Sequence, residues 1–202
     1  MKIKRKIFAL ALICVVCLGC AQTLVKVNMY PSALMSQVKQ EIPVTVGIYL
    51  SPDTAGYILR REEASELCTL EYNFGAASRN MFFEGFKRAA LGVKSVTRKP
   101  PYGSGENSDV TVVLEPQIID FDESAPAVSR GGSYSAHITY RVVVYGLAGN
   151  VLLDKIYQAK GEAKGYRTSN IGGNYAAPVE VAMNDIIKQI AGDVAGVVER
   201  PK

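Results

Sequence analysis

Residues 135–161 read SAHITYRVVVYGLAGNVLLDKIYQAKG. In the first half, Ala136, Ile138, Tyr140, Val142 and Val144 alternate with His137, Thr139, Arg141 and Val143. That two-residue period is the mark of a strand with one buried face. Gly146 to Asn150 supplies a short turn and Val151 to Gly161 the return, so the stretch predicts a β-hairpin. A sheet with one apolar face needs a second layer to cover it, and the sequence on either side offers helices.

Working outward, Asp109 to Phe121 predicts a third strand, with Val110, Val112 and Leu114 alternating against Thr111 and Val113. Pro116 cannot donate to a ladder, which implies an edge position or a bulge there. Downstream, Val179, Ala182, Met183, Ile186, Ile187, Ile190, Val194 and Val197 form one helical stripe, predicting a helix from Pro178 to Val198. Pro178 suits the first turn of such a helix. Its polar face lacks the lysine and arginine excess of a membrane-surface helix, so the stripe packs on the sheet.

Upstream, Pro43 to Leu50 predicts a strand through Val44, Val46 and Ile48, stopped at Ser51-Pro52-Asp53. Residues 54–66 are charged and ambiguous between helix and strand, and Leu67 to Tyr72 predicts a further short strand. Phe82, Phe86, Ala89, Ala90 and Val93 recur at helical steps and predict a helix from Ala76 to Leu91, which Gly85 weakens by about 1 kcal/mol. A short strand, Val93 to Thr97, leads into a loop over Pro100 to Ser108. The expected architecture is α+β: a two-layer sandwich, a mostly antiparallel β-sheet with two helices packed on one face.

The first twenty residues belong to none of this. Lys2, Lys4, Arg5 and Lys6 precede an uncharged apolar run from Ile7 to Leu18, followed by Gly19 and Cys20. A basic start, a short apolar segment and a small residue make a secretory signal. The run is well short of the roughly 20 residues that span a bilayer. Cys17-Leu18-Gly19-Cys20 resembles a bacterial lipobox, with Cys17 standing where leucine is usual. The resemblance implies cleavage before a lipid-modified Cys20, and Ala21 behind it resembles the signal for outer-membrane sorting. Residues 1–19 are then a lipoprotein-type signal peptide, 20–41 a lipidated tether, and 42–202 a single periplasmic α+β domain. The expected location is the periplasmic face of the outer membrane, held through the lipid.

Cleavage changes the charge. The chain carries 23 basic and 19 acidic residues, net +4. Four of the 23 lie before Cys20 and no acid does, which leaves 19 basic residues against 19 acidic ones. A neutral domain has no field to gather phosphates, so nucleic acid is not expected as a partner. Cys14 and Cys17 leave with the signal and Cys20 is acylated, leaving Cys68 as a buried, inert thiol in a strand, without a disulfide.

The case for an enzyme is thin, and no cofactor or metal is expected. His137 sits mid-strand with no local acid or nucleophile motif. Asp120, Asp122 and Glu123 cluster at a strand end and could serve a hard cation or acid–base work, but a solvated turn is the plainer reading. Gly103-Ser104-Gly105 and Gly172-Gly173 lack any phosphate-binding pattern.

The lipobox, the Val-Thr-Val-Gly-Ile strand, the Phe-rich helix, the hairpin and the closing helix together resemble the YajG-like family of bacterial envelope lipoproteins. The element order is also similar to auxiliary lipoproteins of ABC-type envelope transport and to lipoprotein activators of peptidoglycan synthases. The resemblance implies a non-catalytic accessory or scaffold, with lipidation at Cys20 and an envelope protein as partner. The alternatives are a binding module for a small apolar ligand or lipid, activation of a peptidoglycan synthase, and an envelope hydrolase using the Asp120 group. If the strands run antiparallel, loops 122–134 and 162–177 lie side by side. They carry Arg130, Tyr134, Tyr166, Arg167 and Tyr175, residue types favoured at protein interfaces, as the expected partner surface.

Overall fold

A computed structural model describes residues 23–31, 42–63, 68–126, 132–164 and 170–199. Cys20 and the residues expected to form a signal peptide lie outside them. Among the described residues there are eight strands and three helices, an α+β architecture built from two sheets.

The hairpin is the spine of the larger sheet. β7 (Ser133–Gly146) and β8 (Val151–Lys164) pair antiparallel along their length. β6 (Val112–Ser124) pairs antiparallel with the other side of β7. β2 (Ile42–Ile48) adds to β6 in parallel, and β5 (Ala90–Ser95) adds to β2 in parallel, giving the order β5-β2-β6-β7-β8. The sheet is therefore mixed, with its antiparallel part where the alternation was strongest. Pro116 sits just past Leu114, the last β6 residue paired with β2, so its missing N–H falls where β6 has become an edge. The bulge comes two residues later, where the register with β7 slips between Ile118 and Asp120.

Two helices cover one face of this sheet. α1 (Pro52–Ala55) is a separate single turn. α2 (Phe74–Ala89) and α3 (Ile171–Val198) bury Phe82, Phe86, Val179, Met183, Ile186 and Ile190 against Ile138, Tyr140, Val142 and Val144 of β7. Two pairs of polar groups on this face meet across the layers. The Ser78 and Tyr140 hydroxyls meet at 2.6 Å inside the core, and the Tyr157 hydroxyl donates to Asp193 at 2.8 Å. Cys68 is buried.

Two expectations are corrected. α3 begins seven residues before Pro178, at Ile171, with Asn170 accepting from the Gly173 amide at 3.0 Å as its cap. Pro178 lies inside the helix and is buried there, and the extra two turns are held by packing of Tyr175 and Ala176. Gly172 belongs in that first turn because a Cβ there would meet the Lys26 carbonyl at 2.7 Å. Gly172 is thus a close helix–strand contact, while Gly173 donates its amide to the Asn170 cap.

The second correction concerns the tether and the number of sheets. Thr23–Val27, inside the segment expected as tether, is a strand, β1. It pairs in parallel with β4 (Cys68–Asn73), and β4 pairs antiparallel with β3 (Ile58–Glu63), making a separate sheet of order β1-β4-β3. Its inner face places Val27, Leu70 and Tyr72 in the main core, which is what fixes a five-residue strand too short to show a period.

Candidate partner-binding end of the domain

The smaller sheet closes over one end of the larger one, around the last residues of β6 and the first turn of α3. Tyr72 stacks on Phe74 at 5.7 Å and tilts against Phe121 at 5.1 Å. The bulge at Ile119 turns Phe121 and Glu123 to the helix-covered side, opposite Ile138 and Ala136 of β7. There the Tyr72 hydroxyl donates to the Glu123 carboxylate. Arg61 donates to the Phe121 carbonyl at 2.6 Å and to Asp122 at 3.1 Å, with its guanidinium 5.2 Å from the Phe121 ring. These contacts tie β3 and β4 to β6.

The electrostatics follow from burial. Burial holds the Glu123 carboxyl above the usual carboxylate range, although the Tyr72 hydrogen bond and the Arg61 charge pull it down. Burial likewise pushes the Tyr72 hydroxyl far up, with the adjacent Glu123 adding to it. Tyr175 is pushed up first by burial and then by the charge of Glu63. Asp122 points to the opposite, open side, where its hydrogen bond from Arg61 holds it below its ordinary value. The three acids Asp120, Asp122 and Glu123 are therefore divided by the strand pleat, two exposed and one inside. No group of three His, Cys, Asp or Glu placed to hold a metal occurs among the described residues.

Of the expected partner surface, Tyr134 and Tyr175 are described; Arg130, Tyr166 and Arg167 lie outside the described residues. Ser133 pairs with Lys164, so the stems of the two connections do stand side by side. Tyr134 meets Tyr175 edge to face at 5.0 Å. Tyr175 itself is only 2% exposed and packs in the core rather than presenting its ring outward. Both connections are shorter than expected: the strands extend to Ser124, from Ser133 and to Lys164, and the helix starts at Ile171. His137 lies on the open side of β7, in register with Asp122.

The opposite end holds a feature that sequence could not indicate. A cleft of about 740 Å³ opens between the last turn of α3 and the β7–β8 turn, lined by Val110, Val112, Leu147, Leu152, Val197 and Val198 with Thr111 and Asn150 at its polar side. Its walls come from three separated segments, so no local pattern announces it.

No family model matches the chain, and no curated protein matches its sequence. Solved structures resemble it in outline. A Xanthomonas campestris protein of the DUF330 family is 10% identical, with a TM-score of 0.49 over 87% of this chain and 96% of its own. A hypothetical protein from Chlamydia trachomatis is 12% identical, with a TM-score of 0.44 over 78% of this chain and 98% of its own. A candidate lipoprotein from Caulobacter crescentus is 10% identical, with a TM-score of 0.39 over 48% of this chain and 75% of its own. Likenesses this distant carry no residue and no role over to this chain.

Proposed function

We propose that the protein is a non-catalytic, lipid-anchored envelope lipoprotein that acts as an accessory or scaffold in envelope assembly or transport. The observation that carries this is the leader: four cations, a dozen apolar residues and Gly19 before Cys20. No helix among the described residues is long and apolar enough to cross a membrane, so the lipid is the anchor this reading supplies. The working surface is the end where Tyr134 stands on β7 beside the connections that carry Arg130, Tyr166 and Arg167. Alanine at Arg130, Tyr166 and Arg167 together should weaken capture of the envelope partner while the melting temperature stays near the parent's. Capture that survives the triple change places the interface elsewhere.

The cleft favours a second reading, a binding module for a small apolar ligand or the acyl part of a lipid. Its volume falls in the range of small-molecule pockets, and its lining is mainly aliphatic with few polar groups. Native mass spectrometry of the protein purified from membranes would show a co-purifying lipid, lost on Leu147→Asp. A clean apo mass for both forms leaves the scaffold reading alone.

A further inference from the structure

The strand β1 changes what the anchor can do. Thr23, its first residue, is hydrogen-bonded into the three-stranded sheet opposite Cys68. From Cys20 to Thr23 there are three peptide units, at most about 10 Å of chain. On the lipoprotein reading, on which this inference rests, the acyl groups therefore hold the domain against its own leaflet, with no arm to reach away from it.

The part held nearest is the smaller sheet. Its inner face is in the core, and its outward face carries Leu24 and Lys26 from β1, Ile58, Arg60 and Glu62 from β3, and Glu71 from β4. Leu24 and Ile58 are 47% and 49% exposed, and Tyr30, just after β1, is 60% exposed. The two cations and two acids on this face cancel, with Arg60 and Glu71 paired at 2.7 Å, so the face neither seeks nor avoids anionic lipid by charge. Lysine and arginine stems can lie along an apolar surface while their ends stay hydrated. We propose that this outward face of the β1-β4-β3 sheet lies against the headgroup layer of the leaflet that anchors Cys20.

The same geometry points the cleft away from the lipid. Lys26 of β1 touches the first turn of α3 at Gly172, whereas the cleft is walled by Val197 and Val198 at the last turn. From Gly172 to Gly196 the helix rises roughly 36 Å. The proposal makes the first turn of α3 the lipid-side marker of the domain and its last turn the far-side one.

Full-length, acylated protein in vesicles of phosphatidylethanolamine and phosphatidylglycerol tests this directly. In a Cys68→Ala background, a fluorophore is placed at Glu62→Cys, on the outward face, or at Gly196→Cys, where a Cβ meets nothing within 4 Å. Spin-labelled phospholipid should quench the label at 62 at least threefold more than the label at 196, equally at low and high salt. Leu24→Ser with Ile58→Ser should lower quenching at 62 while the protein still floats with vesicles. Equal quenching at both sites, or stronger quenching at 196, overturns the orientation while the anchor stands. Protein that neither floats nor carries acyl mass removes the lipoprotein reading and this proposal together.

Discussion

The two sheets of this protein are held by different kinds of contact. The larger one has long strands, of 13 and 14 residues in β6, β7 and β8, and its covered face is packed by two amphipathic helices. The smaller one has strands of five or six residues and borrows its core from the larger layer through Val27, Leu70 and Tyr72. Burial of apolar side chains dominates in the first, and the second adds polar ties such as Arg61 to Phe121 and Tyr72 to Glu123. The difference implies that the helix-covered sheet sets global stability, and that the smaller sheet is the part whose docking can be tuned by single polar changes.

The largest effect should come from emptying the helix layer. Phe82 is fully buried and packs edge to face on Tyr140 at 5.9 Å. Phe82→Ala should cost about 4 kcal/mol, read as a lower denaturation midpoint at unchanged slope. Next comes the contact between β8 and α3. A Cβ on Gly161 would lie 1.8 Å from the Pro178 carbonyl, backbone against backbone. Gly161→Ala should cost about 2–3 kcal/mol as the helix is pushed off the strand. If either change leaves stability untouched while Tyr72→Phe lowers it more, the order of the two regions is reversed.

These two positions also show what could be read in advance. Phe82 and the β7 residues announce themselves by period, because each local segment carries its own apolar face, and so the layer, both main helices and the hairpin were legible. Gly161 and Gly172 were not, because their meaning lies in a backbone that arrives from elsewhere in the chain. β1 and β3 escaped for the same reason. Thr23–Val27 offers two inward apolar residues, and Ile58–Glu63 is four parts charge, so only pairing with β4 makes either a strand. At the candidate site, the side-by-side stems followed from antiparallel topology alone. The burial of Tyr175 did not, since it depends on α3 starting two turns before the proline.

A smaller effect sharpens the account of the docked sheet. Because burial holds Glu123 above the usual carboxylate range, the fold favours its protonated form. Its contribution is fully present below the ordinary carboxylate range and is lost as pH rises through the raised value. Glu123→Gln keeps an acceptor for the Tyr72 hydroxyl without a buried charge. It should melt with the parent in acid and increasingly above it as pH rises through the raised carboxyl value. A melting difference that is flat across this range would mean that the carboxylate is better solvated than its place beneath Tyr72 implies.

The central claim is that Cys20 becomes the acylated first residue of the mature chain, held a few residues from β1. Metabolic labelling with palmitate in a bacterial host tests it most directly, comparing the parent with Cys20→Ser. The parent should take up label and run as the processed form, and Cys20→Ser should take up none and either persist as precursor or appear as a soluble product. Equal palmitate incorporation in both would contradict the account.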